Sequence, residues 1–361
     1  MKVDSKSSGR RQAKGPNTVL PTAPQEQARR PSLTMRDVAL EAGVGTMTVS
    51  RALRQSTSMT GETREKVENA IRKLGYVRNS AAGTLRSNRS KIVAVIVPTI
   101  SNSIFAETLQ ALSDILRPAG YHILIGHSGY SIAEEEALIE AFLARQPEAI
   151  VLTGYTHSPR AKTLLTAAKI PVVEIWNVSD TPIDISVGIS NFDATFAMTK
   201  RLIEKKFKAI GYIGGFKENN DRTEQREAGF RAALKNAKMP WIPTRVQRSA
   251  FEFESGAAAL LELLKRHPEV DVVFAASDIL AVGVMLQAAK QNIRVPDDLA
   301  VVGFDDSGIA HLMSPALTTV RVPRSAIGHV AAQQILDRLS GNNLDSNTID
   351  LGFQIIERNS G

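Results

Sequence analysis

The 361-residue chain has no cysteine. It therefore has no disulfide and no thiolate metal site, and a reducing cytoplasm suits it. No apolar run approaches the ~20 residues a bilayer span needs, so no membrane partner is expected. The N-terminus carries lysines and arginines without an apolar stretch behind them, and does not read as a secretory signal. Only six histidines occur, and no two stand at metal-ligand spacing, so no metal is expected. Catalytic signatures are missing as well. There is no phosphate loop of the G-x-x-x-x-G-K-[ST] type and no H-E-x-x-H. "GHSGY" is one residue short of a nucleophile elbow, and "GYIGGF" lacks the third glycine of a dinucleotide fingerprint. Neither an enzyme nor a cofactor is expected.

What is present is uneven charge. Residues 1–90 hold 17 Lys and Arg against 7 Asp and Glu, whereas residues 91–361 hold 27 against 30. A basic head on a slightly acidic body points to a polyanionic partner for the head. A solvated basic tail with no partner is the plainer alternative.

The texture divides the chain into four parts. Residues 1–31 are rich in Ser, Gln, Pro, Lys and Arg and read as a disordered basic tail. Residues 32–77 read as helical, broken at Gly43–Gly45 and around Gln55–Met59. Residues 78–90 are small and polar, a linker. From residue 91 to 361, β-branched runs alternate with helical patterns: "IVAVIV", "HILIG", "AIVLT", "PVVEI", "AIGYI", "DVVFA" and "LAVVG" are the strands. One helix is read in "AETLQALSDILRPAG", stopped by Pro118 and Gly120. Such alternation predicts parallel sheets built from βαβ units. The length of this region favours two similar α/β subdomains. Ligands of these sheets bind at the carboxyl ends of the strands, so residues just after the strands are the candidates.

"VALEAGVGTMTVSR" runs from Val38 to Arg51. Thr34 is the predicted N-cap of a first helix, with Asp37 completing a capping box. The helix spans Met35 to Ala42 and buries Val38, Ala39 and Ala42. Gly43 suits the left-handed residue that ends it, and Val44 packs inward. A second helix starts near Thr46 and buries Val49, Ala52 and Leu53. The pair is a helix-turn-helix, whose second helix enters the major groove of DNA N-terminus first. Thr46, Thr48 and Ser50 are small donors that let the backbone approach phosphates. Thr46 and Met47 sit at the tip, and Arg51, one turn on, can fork onto a guanine. A helical hairpin with threonines chosen for capping is the bland alternative, and the basic head counts against it. A third helix, "GETREKVENAIRKLGY", is capped by Thr60 and presents Val67, Ala70, Ile71 and Leu74.

Six stretches, "DVALEAGVGTMTVSRAL", "TREKVENAIRKLGYVRNSAAGTL", "VPTISNSIFAETLQAL", "FAASDILAVG", "VPDDLAVVGFDD" and "PALTTVRVP", resemble the lactose-repressor/galactose-repressor family over about residues 34–358. "TMTVSR", "GHSGYS", "THSPR" and "PVVEIW" are most similar to its gluconate and ketogluconate repressors. The resemblance implies a small all-α helix-turn-helix head on an α/β body of two doubly wound parallel-sheet subdomains, of the periplasmic-binding-protein type. It implies a hinge helix in the linker that folds on operator DNA, with Leu85 wedged into the minor groove beside Ala82, and Asn79 among the DNA contacts. Gly83 within that helix and Gly45 at the turn depart from the usual pattern. Position by position, it places Phe105, Asn191, Arg226, Phe251, Ser277 and Asp305 in an effector pocket. Glu174, Trp176, Arg222 and His127 are further candidates. These side chains suit a polyol acid, with Arg226 clamping its carboxylate. An Arg226–Asp305 ion pair holding the subdomains together is the competing reading. The implied partners are double-stranded operator DNA, a small-molecule effector and a second copy of the chain. A dimer is expected, because nothing after "QIIERNSG" supplies a leucine heptad tail. A neutral sugar or nucleobase effector, or a plain binding protein on the same body fold, are the alternatives.

Overall fold

The computed structural model describes residues 33–53, 59–77, 89–342 and 346–361. Asn79, Ala82 and Leu85 lie outside these residues, as do the basic segment 1–31 and most of the linker. The chain divides into two compact units, Met1–Arg86 and Ser87–Gly361.

The first unit holds α1 (Met35–Ala42), α2 (Thr46–Ala52) and α3 (Gly61–Leu74). The Asp37 carboxylate accepts hydrogen bonds from both the backbone N–H and the hydroxyl of Thr34, each at 2.7 Å, which anchors the first turn of α1. Gly43 ends α1 at φ +65, and its N–H returns to the last turn. One apolar cluster joins the helices: Val38, Ala39, Val49, Val67, Ala70 and Tyr76, edged by Ala42, Val44, Ala52, Leu53, Ile71 and Leu74. The periodicity anticipated every member except Tyr76. Thr60 occupies the N-cap of α3 but does not cap it through its side chain. Its hydroxyl pairs at 2.8 Å with that of Thr63, another hydroxyl in reach.

The second unit contains two six-stranded sheets. The strands are β1 (Ile92–Val97), β2 (His122–His127), β3 (Ala149–Thr153), β4 (Val172–Ile175), β5 (Ile185–Gly188), β6 (Ile210–Gly214), β7 (Val246–Arg248), β8 (Val272–Ala275), β9 (Ala300–Asp305), β10 (Thr318–Arg321), β11 (Thr348–Asp350) and β12 (Gln354–Ile356). One sheet runs β11-β5-β4-β3-β1-β2 and the other β12-β10-β9-β8-β6-β7. All pairings are parallel except β10 with β12. Central strands such as β1, β3 and β9 are buried on both faces, as continuous β-branched runs require.

Helices α4 (Ser103–Leu116), α5 (Ile132–Leu143) and α6 (Pro159–Ala168) belong to the first sheet. Those of the second are α7 (Asn191–Glu204), α8 (Asp221–Asn236), α9 (Phe253–Arg266) and α10 (Asp278–Lys290). α4 begins earlier than its apolar pattern indicated, because the Asn102 side chain accepts from Ile104 N–H and caps it there. The chain passes between the sheets three times. It crosses after β5 into α7, which packs on α8. It crosses back after β10 into α11 (Arg324–Leu339), which packs on α4, and once more between β11 and β12. Among the described residues no helix is long and apolar enough to cross a membrane.

Candidate functional site

α2 has two faces. Val49 is fully buried in the head's core. Thr46, Met47 and Arg51 are exposed, and Thr48 and Ser50 are half-buried. Met47 has 68% of its surface free. The residues at the helix tip thus stand clear of the core, as a helix read against a groove requires.

In the body, the carboxyl ends of the two sheets face a cleft. Its inner part is a narrow pocket of about 20 Å³ whose walls include Phe105, Trp176, Arg222, Arg226, Phe251, Ser277 and Asp305. These seven predicted residues come from six elements or loops. Asn102, Tyr130, Asn220 and Thr223 join them. Asn102 and Tyr130 follow β1 and β2, so their position after strands was the signal that could have found them. Asn220 and Thr223 flank Arg222, where no strand end marks them.

Trp176 holds the pocket's apolar side, its ring 5.1 Å from that of Phe105. Its backbone has φ +75, a conformation a bulky side chain rarely adopts. Two hydrogen bonds hold it there. Its N–H donates to Val187 C=O at 3.1 Å, and its C=O accepts from Asn191 Nδ2 at 2.9 Å. Its indole Nε1 is buried and has no partner. Asn191 does not line the pocket but supports it from behind, since its Oδ1 accepts a hydrogen bond from Arg226 Nε–H at 2.8 Å. Arg226 donates further to Ala276 C=O at 2.6 Å, stacks on the Phe304 ring, and stands 3.6 Å from Asp305 Oδ1.

Burial pushes the Arg226 pKa down, against the pull of Asp305. Burial likewise pushes the Asp305 carboxyl up, with Arg226 opposing it. Asp305 Oδ2 accepts from the Ser277 hydroxyl at 2.9 Å, while Oδ1 has no hydrogen bond. Nearby Asp278 is raised to about 7, first by burial and then by the charge of Asp305. It accepts from Thr319 and from both the N–H and hydroxyl of Ser307.

The Arg226–Asp305 pair lies within the second-sheet subdomain and does not tie the subdomains together. The residues that do so open α8. Asp221 Oδ2 accepts from the N–H groups of Tyr155 and Thr156 at 2.5 and 2.9 Å, and Oδ1 accepts from Asn177 Nδ2. Arg222 donates to Thr153 C=O at 3.0 Å. Gly154 makes this approach possible: its φ is +87, and a Cβ there would run into both Asp221 and Arg222. Sequence spacing could not reveal this latch, whose partners are about 65 residues apart.

Besides Asn191, two further candidates do not line the pocket. His127 is exposed at the end of β2, an edge strand. Glu174 is buried, but strand alternation puts it on the same face as Val172, opposite Val173 and Ile175. There it lies 3.2 Å from His157 Nε2, while Glu135 holds His157 Nδ1 at 2.6 Å. Burial pulls the imidazolium down, but the two carboxylates outweigh it and raise His157 to about 9. Among the described residues no His, Cys, Asp or Glu cluster is arranged to hold a metal ion.

Residues 34–79 match the "Bacterial regulatory proteins, lacI family" model, and residues 199–361 match that of the "Periplasmic binding protein-like domain". The HTH-type transcriptional regulator GntR of Pseudomonas aeruginosa is 38% identical over 329 residues, covering 91% of this chain and 95% of its own length. Among solved structures, a LacI-family transcriptional regulator from Silicibacter pomeroyi superposes with a TM-score of 0.84 at 31% identity, covering 91% of this chain and 99% of that one. The transcriptional regulator CelR in complex with cellobiose gives 0.68 at 31% identity, covering 91% and 100%. Helix-turn-helix head, paired parallel sheets and these likenesses agree: the chain belongs to the lacI family of DNA-binding bacterial transcriptional regulators.

Proposed function

We propose that this regulator is a repressor that holds a palindromic operator as a homodimer and is released from it by a sugar acid such as gluconate or 2-ketogluconate. The observation that carries the reading is the inner pocket. Two buried guanidinium groups, Arg222 and Arg226, line it together with Trp176 and Asp305, each of which has one polar atom without a hydrogen-bond partner. An acid buried without a cation is prohibitive, and Arg226 supplies one. The indole N–H and the free carboxylate oxygen serve hydroxyl groups, and the Phe105 and Trp176 rings cover carbon faces.

Docking a carboxylate on Arg226 displaces its loosest partner, Asp305, at 3.6 Å. Burial raises the pKa of that carboxyl against the pull of Arg226, which weakens its hold on the guanidinium. An effector that also touches Phe105 and Trp176 on the first-sheet side favours one arrangement of the two subdomains over another, and the difference is transmitted to operator affinity.

Calorimetric titration of the full chain with gluconate, 2-ketogluconate, ribose and guanine, alongside operator release, tests the reading. A sugar acid that binds and releases operator is the expected result. Equal binding of a neutral polyol of matched length overturns the acid. A neutral-sugar effector is the second reading. It is favoured by the engagement of Arg226 with Asn191, Ala276 and Asp305, which leaves the guanidinium already satisfied. Ribose binding without gluconate binding selects it.

A further inference from the structure

The inner pocket opens into a second, much larger cavity of about 760 Å³. The two share Asn102, Tyr130, Asn220 and Phe251, so they form one continuous cleft. A volume of that size lies in the upper range for drug-sized ligands, and a six-carbon acid anchored at Arg226 leaves most of it unfilled. The outer walls differ in chemistry from the inner ones. Phe216, Phe251 and Phe253 line them, and Phe216 and Phe253 are 56% and 40% exposed. Exposed rings on one cavity wall mark a recognition surface more often than a solvated face. The Tyr130 ring lies against that of Phe251 in a tilted arrangement, with centroids 5.7 Å apart, which continues the aromatic wall inward. Glu218, Glu252 and Glu254 supply acceptors, and no Lys or Arg lines this part. The Ser249 hydroxyl, also on the wall, is buried and has no partner.

We propose that the outer cavity is a subsite for a neutral pyranosyl group, so that the preferred effector is a glycosyl-substituted sugar acid with its carboxylate inward and its ring outward. This rests on the sugar-acid reading of the inner pocket. Aromatic rings cover the apolar face of a pyranose, carboxylates and the Ser249 hydroxyl take its hydroxyl groups, and the excess of negative charge rejects a distal phosphate. A six-carbon acid phosphorylated at its far end carries the wrong charge into this half of the cleft.

Titration of the full chain with gluconate, 6-phosphogluconate and a pyranosyl-substituted aldonic acid such as lactobionate decides the matter. The substituted acid binds about tenfold more tightly than gluconate. Phe253→Ala removes that gain and leaves gluconate binding as it was, and Phe216→Ala does the same if Phe253→Ala folds poorly. Binding of 6-phosphogluconate is weaker than that of gluconate and recovers in Glu252→Gln. A substituted acid that binds no better than gluconate, or a Phe253→Ala loss shared equally by both acids, overturns the subsite. Arg226→Ala separates the two ideas. If acid binding survives that substitution while the Phe253-dependent gain persists, only the acid anchor is wrong. Absence of binding by any acid removes both.

Discussion

Arg226 carries the sharpest residue-level test. It is buried with its donors aimed at fixed partners, and a charge-assisted pair of this kind contributes a few kcal/mol. Arg226→Ala is expected to abolish effector response and retain operator binding, giving a repressor that is not induced. Arg226→Lys restores only part of the affinity, since an ammonium group cannot fork. Titration with effector and a parallel gel-shift assay check both. His157 governs a different property, stability. Its folded-state pKa of about 9 lies above the ordinary 6.5, so its contribution is complete below about pH 6.5 and is lost as pH rises through about 9. The shift corresponds to about 3 kcal/mol. Denaturant unfolding across that window should show the loss, and His157→Gln should flatten it. Asp278, raised to about 7, acts in a separate window. Its ionisation lowers stability between about pH 4 and 7, so the two groups are distinguishable.

At the scale of elements, the seven residues of α2 divide into two faces. One packs in the head's core, and the other is exposed, where we place the DNA contacts. Val49→Ala removes buried methyl groups from the head's small core and should destabilise that unit by about 2 kcal/mol. Arg51→Ala, on the exposed face, should leave unfolding unchanged but cost about 1–3 kcal/mol on the operator, with specificity relaxed at one base pair per half-site. Thermal melts and binding to mismatched operators check the pair. An Arg51→Ala protein that discriminates as well as the parent removes Arg51 from the readout.

At the scale of the body, the N-terminus of α8 joins the two subdomains. Asp221 receives two backbone N–H groups and one side-chain amide from the opposite side of the cleft. Arg324, at the start of α11, adds a second link by binding Glu107 on α4 and the backbone C=O of Asp306 after β9. Asp221→Ala leaves half-buried donors at Tyr155 and Thr156 unpaired, and should shift the body toward an open form. Small-angle scattering of the variant should give a larger radius of gyration, and effector affinity should fall. An unchanged radius and affinity would mean that the remaining contacts suffice to hold the cleft closed.

The sequence by itself determined the head, most of the strands and the family. Helical periodicity, the Thr34–Asp37 cap, Gly43 and the β-branched runs are local signals, and local sterics and hydrogen bonding enforce them. It also determined which residue types gather after the strands, and seven of the ten effector candidates meet in one pocket. Only the tertiary structure decided the rest. Short edge strands such as β11 and β12 owe their pairing to distant partners and carry little pattern of their own. Whether Glu174 faces the cleft or His157 depends on strand alternation relative to helices packed from elsewhere. The latch at Asp221 and the division of the cleft into a cationic inner pocket and an aromatic, acidic outer cavity arise from loops of separate βα units. Their side chains share no spacing along the chain and meet only because two sheets present their carboxyl ends to one gap.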